Sequence, residues 1–557
     1  MAGTTLQVED FTEKPATARI VLRTRSTIAA ALGLIDLPPL GITSAAGLAT
    51  DLAEGSAAME THLSLPLVKG LEPGDVSYRV TGALSDVVSD RLVPGRRFEA
   101  KRLDLGASGD DVRISGAAQL EGVPLRGAWT MVPGADGAGR SRVEGTLELS
   151  QALSERFGIG LPENSVSGRT AGRFTVELAP EAPPLFSLES NLVGLGVRVP
   201  GLGWSKSEAA AGALELAGRL GSSPAVERLT VSAPGLSIEG SVALTEGGGL
   251  EAARLSRVRL GGWLDASAVL SGRGAAQGAG IAITGGTADL RETTLAGTGG
   301  AGGVGAVDVR LDRLILSDGI VLTGVRGRLS GQGGLSGRLS ADLEGGGPVM
   351  ATLAPAAGGT AVRVRAEDAG AALRGAGVYR RASGGALDLV LQPVGAPGRY
   401  DGRLRIDGLR VRGTPVLAEL LSAISVVGIA DLLDGEGLMF SDLDAEFRLV
   451  PGVIEVKRAS AIGPSLGISM AGVYDTRGRR VDMQGVISPI YMLNSIGSVL
   501  TRRGEGLFGF NYRLSGDARA PEVRVNPLSI FTPGMFREIF RGPPPRVQSR
   551  QGTGDEE

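Results

Sequence analysis

The chain holds few of the residues that enzymes use for catalysis. Among its 557 residues there is one histidine, His62, and no cysteine. Cys–His nucleophile pairs and thiolate zinc sites are therefore excluded, and most other metal sites are disfavoured. His62 lies in a strand-like segment, where it is best interpreted as an ordinary residue on one strand face. A Ser–His nucleophile would depend on this residue alone.

A pair of carboxylates is the remaining catalytic possibility. Asp442 and Asp444 are two residues apart, and two acidic side chains can act together as general acid and base. Side chains two residues apart in a strand point to the same face, and here this face is the polar one. Solvated charges are the ordinary interpretation of such a face. We therefore predict that the protein is not an enzyme.

No nucleotide or nucleic-acid site is predicted either. The segment Gly297–Gly305 matches the G-x-G-x-x-G spacing, but no helical pattern follows it, and chance matches are expected in a glycine-rich region. The net charge of −3 offers no basic excess to a nucleic-acid backbone. Nearly all basic residues are arginine, which suits phosphate recognition but also follows from GC-rich codon usage. We expect no cofactor, no metal and no nucleic-acid partner.

Composition and pattern favour a mainly β fold. Hydrophobic residues make up 42% of the chain and charged residues 21%, which is typical of a chain that folds. The 88 glycines exceed the usual share of about 7% and indicate many tight turns between short strands. Segments with alternating apolar and polar residues are 18–25, 76–82, 112–120, 142–149, 172–178, 237–244, 307–316 and 387–391.

The alternation is clearest between Gly435 and Phe540, where it predicts a sheet with one apolar face. Such a face can close into a packed sandwich, or it can curl into a trough that holds acyl chains. Moving two acyl chains, roughly 30 methylenes, through water costs about 24 kcal/mol, and an aliphatic lining removes most of this barrier. The candidate lining residues are Leu443, Phe447, Leu449, Ile454, Val456, Met483, Ile487, Phe508, Phe510 and Leu514.

A few short helices are predicted near the C-terminus, over Pro415–Leu433, Pro489–Leu500 and Pro533–Phe540. We expect their apolar residues to cap the sheet or to contact a membrane. These candidates are Leu420, Leu421, Ile424, Leu493, Ile496, Phe536, Ile539 and Phe540.

The pattern divides the chain into four regions. Residues 1–245 form a β-rich region in which 28–38 resembles 153–162, either as a repeat or by chance, each copy predicting a short helix ended by Gly33 or Gly158. Residues 246–410 read as a glycine-rich stack of short strands. Residues 411–540 combine strands with the capping helices, and residues 541–557 are expected to form a disordered tail.

Four motifs in order add a resemblance to a known family. They are Gly435–Phe440, Ala461–Ile468, Ser488–Asn494 and Val525–Gly534. Over about Val411–Phe540 the chain resembles the C-terminal region of AsmA-like proteins, closest to the YhdP-type members of Gram-negative bacteria. The resemblance is diffuse over residues 10–244 and gives almost no specific match in the glycine-rich middle.

The resemblance implies an elongated, curled antiparallel sheet with a long, taco-like apolar groove. It also implies a periplasmic, inner-membrane-associated protein that carries phospholipid between the inner and outer membranes and supports outer-membrane integrity. The expected partners are phospholipid acyl chains and a membrane surface at one or both ends. Family members are held at the inner membrane by an N-terminal helix. No signal peptide, anchor or membrane-spanning segment is predicted here, so we expect this chain to be part of a longer protein.

Two functions remain open at this point. The first is non-enzymatic phospholipid transport through the apolar groove. The second is a structural or adhesive β-rod, similar to a secreted passenger domain, whose interior is fully packed. Glycine abundance and the lack of cysteine suit both, and an open apolar face would favour the first.

Overall fold

In the computed structural model, strands account for most of the chain that is described. The described residues are 4–9, 15–37, 43, 49–71, 75–133, 139–157, 165–199, 203–221, 223–245, 249–272, 279–291, 306–331, 334–413, 415–423, 436–489 and 508–531. They belong to two compact units. Unit 1 comprises Met1–Leu260 and Val269–Ala279, and unit 2 comprises Gly261–Ala268 and Gly280–Glu557.

The described part of unit 1 is built mainly from antiparallel strands, with short helices between some of them. Its helices are α1 (Ile28–Ile35) and α2 (Gln151–Arg156). Its strands are β1 (Thr5–Glu9), β2 (Thr17–Thr27), β3 (Glu54–Pro66), β4 (Ser77–Val93), β5 (Arg96–Ser108), β6 (Val112–Leu120), β7 (Val123–Met131), β8 (Ser141–Ser150), β9 (Val166–Leu178), β10 (Leu185–Ser190), β11 (Leu195–Val199), β12 (Trp204–Lys206), β13 (Ala213–Arg219), β14 (Ala225–Ala233), β15 (Leu236–Leu244) and β16 (Leu250–Leu260). The next strand, β17 (Leu264–Ser271), is divided between the units.

Unit 2 repeats this construction. Its helices are α3 (Ala369–Gly375) and α4 (Pro415–Ala423), followed near the end by a 3₁₀ turn at Pro527–Phe531. Its strands are β18 (Gly280–Asp289), β19 (Ala306–Ser317), β20 (Ile320–Ser330), β21 (Ser336–Leu343), β22 (Pro348–Ala356), β23 (Gly359–Ala366), β24 (Ala382–Ser383), β25 (Ala386–Pro393), β26 (Tyr400–Val411), β27 (Leu438–Val450), β28 (Val453–Ile462), β29 (Leu466–Asp475), β30 (Arg480–Pro489), β31 (Phe510–Asp517) and β32 (Glu522–Asn526).

Strands that follow each other in sequence mostly pair with each other. In unit 1 each strand from β1 to β10 pairs with the next, β10 then pairs with β13, and the pairing continues to β16. Strands β11 and β12 lie outside this series and pair with the start of β9, an arrangement that we call the side ladder. In unit 2 it runs from β18 to β32 with β23 paired to β25, and only β18 and β19 are parallel among the pairings described. The predicted mainly β class, with an antiparallel sheet and a few short helices, is confirmed.

Each alternating segment identified from the sequence lies within an observed strand, apart from Val76 one residue before β4, and strands such as β4 and β9 extend well beyond their segment. In the glycine-rich middle, the strands from β18 to β26 span 8 to 12 residues, apart from the two-residue β24. The strands there are therefore longer than the predicted short ones. Many glycines lie inside the strands and do not separate them.

The prediction that Gly33 ends the first helix is wrong. Helix α1 continues to Ile35, and its C-cap is Asp36, whose backbone N–H donates to the Leu32 carbonyl at 3.1 Å. The Asp36 backbone keeps a right-handed conformation, so this end needs no left-handed glycine. Gly158 of the second copy lies outside the described residues.

The helices of each unit lie along one edge of its sheet. Helix α1 follows β2 and α2 follows β8, and because alternate antiparallel strands end on the same side, both helices leave from the same edge. In unit 2, α3 follows β23 and α4 follows β26, which again end at one edge. We call this the helix edge and the opposite one the turn edge. No helix in the described ranges is long and apolar enough to cross a membrane.

A buried lysine holds the side ladder of unit 1 in place. Lys206 is 4% exposed, and its ammonium donates to the carbonyls of Leu192 and Leu195 at 2.7 Å each and of Ser207 at 3.2 Å. Leu192 adopts a left-handed backbone conformation (φ 55°), which is uncommon for a leucine. The ammonium therefore satisfies three carbonyls, one of them at the strained Leu192.

Replacing Lys206 with methionine should destabilise unit 1 by about 3 kcal/mol, because the buried carbonyls lose their donor. Urea unfolding followed by tryptophan fluorescence, to which Trp204 in the same strand contributes, measures this loss. The matched control is Lys101→Met, since Lys101 is exposed. Equal unfolding midpoints for the two variants would contradict the structural role of Lys206.

Candidate functional site

Apolar residues in unit 1 oppose each other from strand to strand. The register aligns one residue of each strand from β5 to β10 and from β13 to β16 in a cross-strand row. The residues of this row are Leu105, Ile114, Trp129, Val143, Val176, Phe186, Gly218, Val226, Val242 and Ala253. Apart from Gly218 and Ala253, which are buried, all of them are half-buried.

Unit 2 carries the same kind of row. Paired residues from β21 to β29 are Leu339, Ala351, Val364, Leu389, Leu404, Ala445, Ala459 and Met470. Every one is half-buried. Aliphatic side chains in the core between two packed layers are normally fully buried. The middle of the apolar face in each unit is thus more accessible than a closed core would be.

On the apolar face of each unit, side chains near the helix edge are more deeply buried than those in the middle of the face. Near the helix edge of unit 1, Ala57, Val87 and Ala100 are at most 5% exposed and form one cluster with Ile28 of α1. The residues nearest α3 in unit 2 are also buried and cluster with its Ala372. The helices therefore cover one margin of each face.

Helix α4 covers the margin in the C-terminal part of unit 2. Leu420 and Leu421 are 3% and 0% exposed, and they pack with Phe440, Ile487 and Phe510 in a single cluster. This places the two predicted cap residues against the sheet. The other predicted cap residues, Ile424, Leu493, Ile496, Phe536, Ile539 and Phe540, lie outside the described residues.

The predicted lining residues occupy three rows of this face. An outer row near the turn edge contains Tyr400, Leu449, Ile454, Tyr474 and Val481. A second row contains Phe447, Val456, Met483 and Leu514, and a row near the helix edge contains Leu443, Ile487 and Phe510. The structure thus brings nine of the ten residues to one face.

These residues differ in accessibility. Ile487 and Phe510 lie beneath α4, and Met483 is only 7% exposed. Phe508 precedes β31 and is 49% exposed, so it is not part of a row. The remaining six lining residues are half-buried. Those six form the accessible part of the predicted lining.

A glycine inside a strand lets an aromatic ring lie flat on this face. Gly402 pairs with Phe447, and a Cβ atom at Gly402 would overlap the Phe447 ring. Glycine is the residue that permits such close approach in a strand. Gly402 is therefore required by side-chain packing inside a strand, whereas the sequence analysis had assigned the abundant glycines to tight turns.

The opposite, polar face is held by arginine–carboxylate pairs between neighbouring strands. Arg448 donates to both Asp401 oxygens at 2.8 and 3.0 Å, and Lys457 donates to Asp401 at 3.0 Å. Arg513 likewise donates to both oxygens of Asp482 at 3.0 Å. Planar guanidinium groups suit such two-point contacts better than lysine does.

The interpretation of Asp444 as a solvated charge is wrong. Its side chain is only 6% exposed, and Arg405 lies 3.3 Å and Arg403 3.8 Å from its carboxylate. The long arginine side chains of β26 lie across the short aspartate and exclude water from it. The carboxylate serves as a strand-to-strand ion pair.

In the described part of the chain the site consists of apolar rows on one face and ion pairs on the other. Within the described ranges, no group of three or more acidic or histidine side chains could hold a metal ion. His62 lies beside Glu60, 2.9 Å from its carboxylate, on an exposed strand surface. The face can accommodate apolar chains, because its accessible side chains are aliphatic or aromatic.

Sequence reasoning missed several parts of this site. The rows of unit 1 were not recognised as one face, since the alternating segments were identified strand by strand without a register. Helices α1 and α3 were not recognised as covers of the sheet margin. A search for short apolar helices that closely follow strands would have found both.

Comparison with known proteins adds no assignment. No protein-family model, curated protein or solved structure matches the chain. The functional interpretation therefore depends on the geometry of the apolar face and on the sequence motifs.

The ion pairs of Asp401 predict a pH-dependent stability. Hydrogen bonding to Arg448, opposed in part by burial, lowers the pKa of Asp401 to about 2. A carboxylate with a lowered pKa stabilises the fold above its ordinary pKa near 4, and this contribution is lost as the pH falls toward 2. We expect about 1 kcal/mol, because the side chain is 37% exposed and water screens the pair.

Urea unfolding of the parent protein and of Asp401→Asn at pH 5 and pH 2 measures this effect. The variant should be less stable at pH 5, and the difference should nearly vanish at pH 2. A difference that stays the same at both pH values would show that Asp401 contributes by packing alone.

Proposed function

We propose that this protein transports phospholipid without catalysis, by holding acyl chains on the apolar face of its sheet. The observation that carries the proposal is the half-buried state of the cross-strand rows in both units. A β-rod with a filled interior would bury these inward side chains. The accessible face therefore supports transport over the structural alternative.

The apolar residues of the rows can offset the free-energy cost of taking acyl chains out of a membrane. Two acyl chains of roughly 30 methylenes in total cost about 24 kcal/mol to expose to water. Rows rich in leucine, valine, alanine and phenylalanine supply apolar contact from strand to strand within each row, so a chain could move along a row without one deep binding site. No reactive group is needed for such movement.

The place of action is also a proposal. The resemblance to AsmA-like proteins supports a position in the periplasm, with lipid moving between the inner and outer membranes and outer-membrane integrity depending on it. A membrane surface at one or both ends of the protein would deliver and receive the lipid.

A charge in the middle of the face should block transport. Leu389 is half-buried in its row, and Leu389→Asp places a carboxylate where acyl chains would lie. We expect fluorescent phospholipid to move between vesicles about tenfold more slowly, and less phospholipid to be retained in native mass spectrometry. Circular dichroism verifies that the variant is folded.

The matched control for this experiment is Thr352→Asp, since Thr352 is exposed on the polar face between Arg338 and Arg363. Val143→Asp provides a second test in unit 1 if Leu389→Asp does not fold. Purified protein without bound phospholipid, together with unchanged transfer by both face variants, would overturn the proposal.

Trp129 provides a direct test of chain contact, because it lies in the unit 1 row and is half-buried. In a variant with Trp204 and Trp263 replaced by phenylalanine, phospholipid with brominated acyl chains should quench the Trp129 fluorescence by about half or more. Quenching of this kind requires close approach of the bromine atoms.

The control retains Trp204 alone, which lies in β12 of the side ladder and whose indole N–H donates at 2.9 Å to the Pro234 carbonyl in the turn between β14 and β15. Its fluorescence should change little. If Trp129 were quenched no more than Trp204, the interior would be filled, as in a structural rod.

A further inference from the structure

The turn edge of unit 2 brings four consecutive hairpin turns together. Strands β25, β27, β29 and β31 end at this edge, opposite α3 and α4, and their turns span residues 394–399, 451–452, 476–479 and 518–521. Strands in a sheet are about 4.8 Å apart, so neighbouring turns recur at about 10 Å.

Hydrogen bonds connect three of these turns. The Thr476 N–H donates to the Gly452 carbonyl at 2.9 Å, and the Ala518 N–H donates to the Arg479 carbonyl at 2.8 Å. The Arg477 side chain lies over Gly452. The turns therefore form a connected edge.

This edge carries arginines that form no ion pair in the described structure. Arg399, Arg477, Arg479 and Arg519 are exposed, and none of their guanidinium groups has a carboxylate partner. Several arginines of the polar face, such as Arg448, are by contrast held by carboxylates.

The nearby acidic side chains are occupied by the turns themselves. Asp475 accepts from the backbone N–H groups of Arg477 and Gly478 at 2.9 Å each, and Asp517 accepts from that of Arg519 at 2.8 Å. These carboxylates fix the turn backbones and leave the guanidinium groups available. The two carboxylates also lower the net positive charge of the turn edge. Arg480, at the start of β30, raises it.

The row of the apolar face nearest this edge contains two tyrosines. Tyr400 and Tyr474 are half-buried and lie in the outer row with Leu449, Ile454 and Val481. Tyrosine has an apolar ring and a polar hydroxyl, so it suits the boundary between acyl chains and polar groups. From the middle of the face outward, aliphatic rows are thus followed by a row that includes two tyrosines and then by the unpaired arginines of the turns.

We propose that the turn edge of unit 2 binds the phosphate headgroups of the phospholipids whose acyl chains lie on the apolar face. Guanidinium groups match phosphate oxygens in charge and in their two-point geometry. The order of aliphatic, tyrosine and arginine residues matches the order of chain, interface and phosphate in one lipid. This assignment rests on the proposed function and fixes the orientation of the cargo.

One of these arginines occupies a strained position. Arg479 has a left-handed backbone (φ 50°), a conformation that favours glycine. An arginine there costs stability that a glycine would not, which fits a residue needed for its side chain. Arg479→Gly should therefore raise the melting temperature and still weaken lipid binding.

The test compares dioctanoyl phosphatidylglycerol with dioctanoylglycerol, which has the same chains and no phosphate, by titration calorimetry of the whole protein. The triple variant Arg477→Gln, Arg479→Gln, Arg519→Gln should bind the phosphate-bearing lipid about tenfold more weakly and the other lipid unchanged. Raised salt should reproduce part of this loss of affinity, because salt screens the exposed contacts between the arginines and the lipid phosphate.

The matched control is the triple variant Arg113→Gln, Arg126→Gln, Arg380→Gln, which removes the same charge from exposed arginines elsewhere. It should bind both lipids as the parent does. If the parent binds both lipids and the edge variant behaves like the control, the headgroup assignment is overturned and transport stands. If the parent binds neither lipid, the proposed function fails as well.

Vesicles of phosphatidylcholine with one-fifth phosphatidylglycerol separate cargo from membrane contact. If the edge variant lost sedimentation with vesicles while its affinity for monomeric dioctanoyl phosphatidylglycerol stayed at the parent value, the edge would be a membrane contact. That result would overturn the headgroup proposal. Loss of affinity for the monomeric lipid supports it.

Discussion

The fold depends on how an extended apolar sheet face is kept away from water. A β-sheet normally buries such a face against a second layer. In each unit here, short helices cover the margin at the helix edge, while the rows beyond them stay half-buried in the described structure. Apolar surface therefore stays accessible along the described rows of both units.

The polar face solves a different problem. Successive antiparallel strands need their register fixed, because a slip by one residue would turn the apolar side chains to the wrong face. Arginines whose guanidinium groups donate to both oxygens of an aspartate on the next strand, such as Arg448 with Asp401, pair specific residues and so fix the register. The predominance of arginine over lysine thus has a structural use, in addition to the phosphate recognition proposed for the unpaired arginines of the turn edge.

Much of the fold could be predicted from alternation alone. Segments such as 112–120 and 237–244 coincide with strands because a half-buried strand needs a two-residue period. Helix ends were less predictable: Gly33 was a plausible cap, yet the helix continues because Leu34 and Ile35 extend it to Asp36. Nine of the ten lining residues share a face, but alternation could not distinguish accessible Phe447 from Ile487 beneath α4.

The sequence by itself determined the strands, their apolar sides and the scarcity of catalytic groups, because these depend on local period and residue type. Only the tertiary structure decided which parts of the apolar face are covered, since coverage depends on where α3 and α4 pack. It also decided that Asp444 is buried, through arginines on another strand. The same holds for the turn edge, where arginines distant in sequence meet because antiparallel hairpins return to one side.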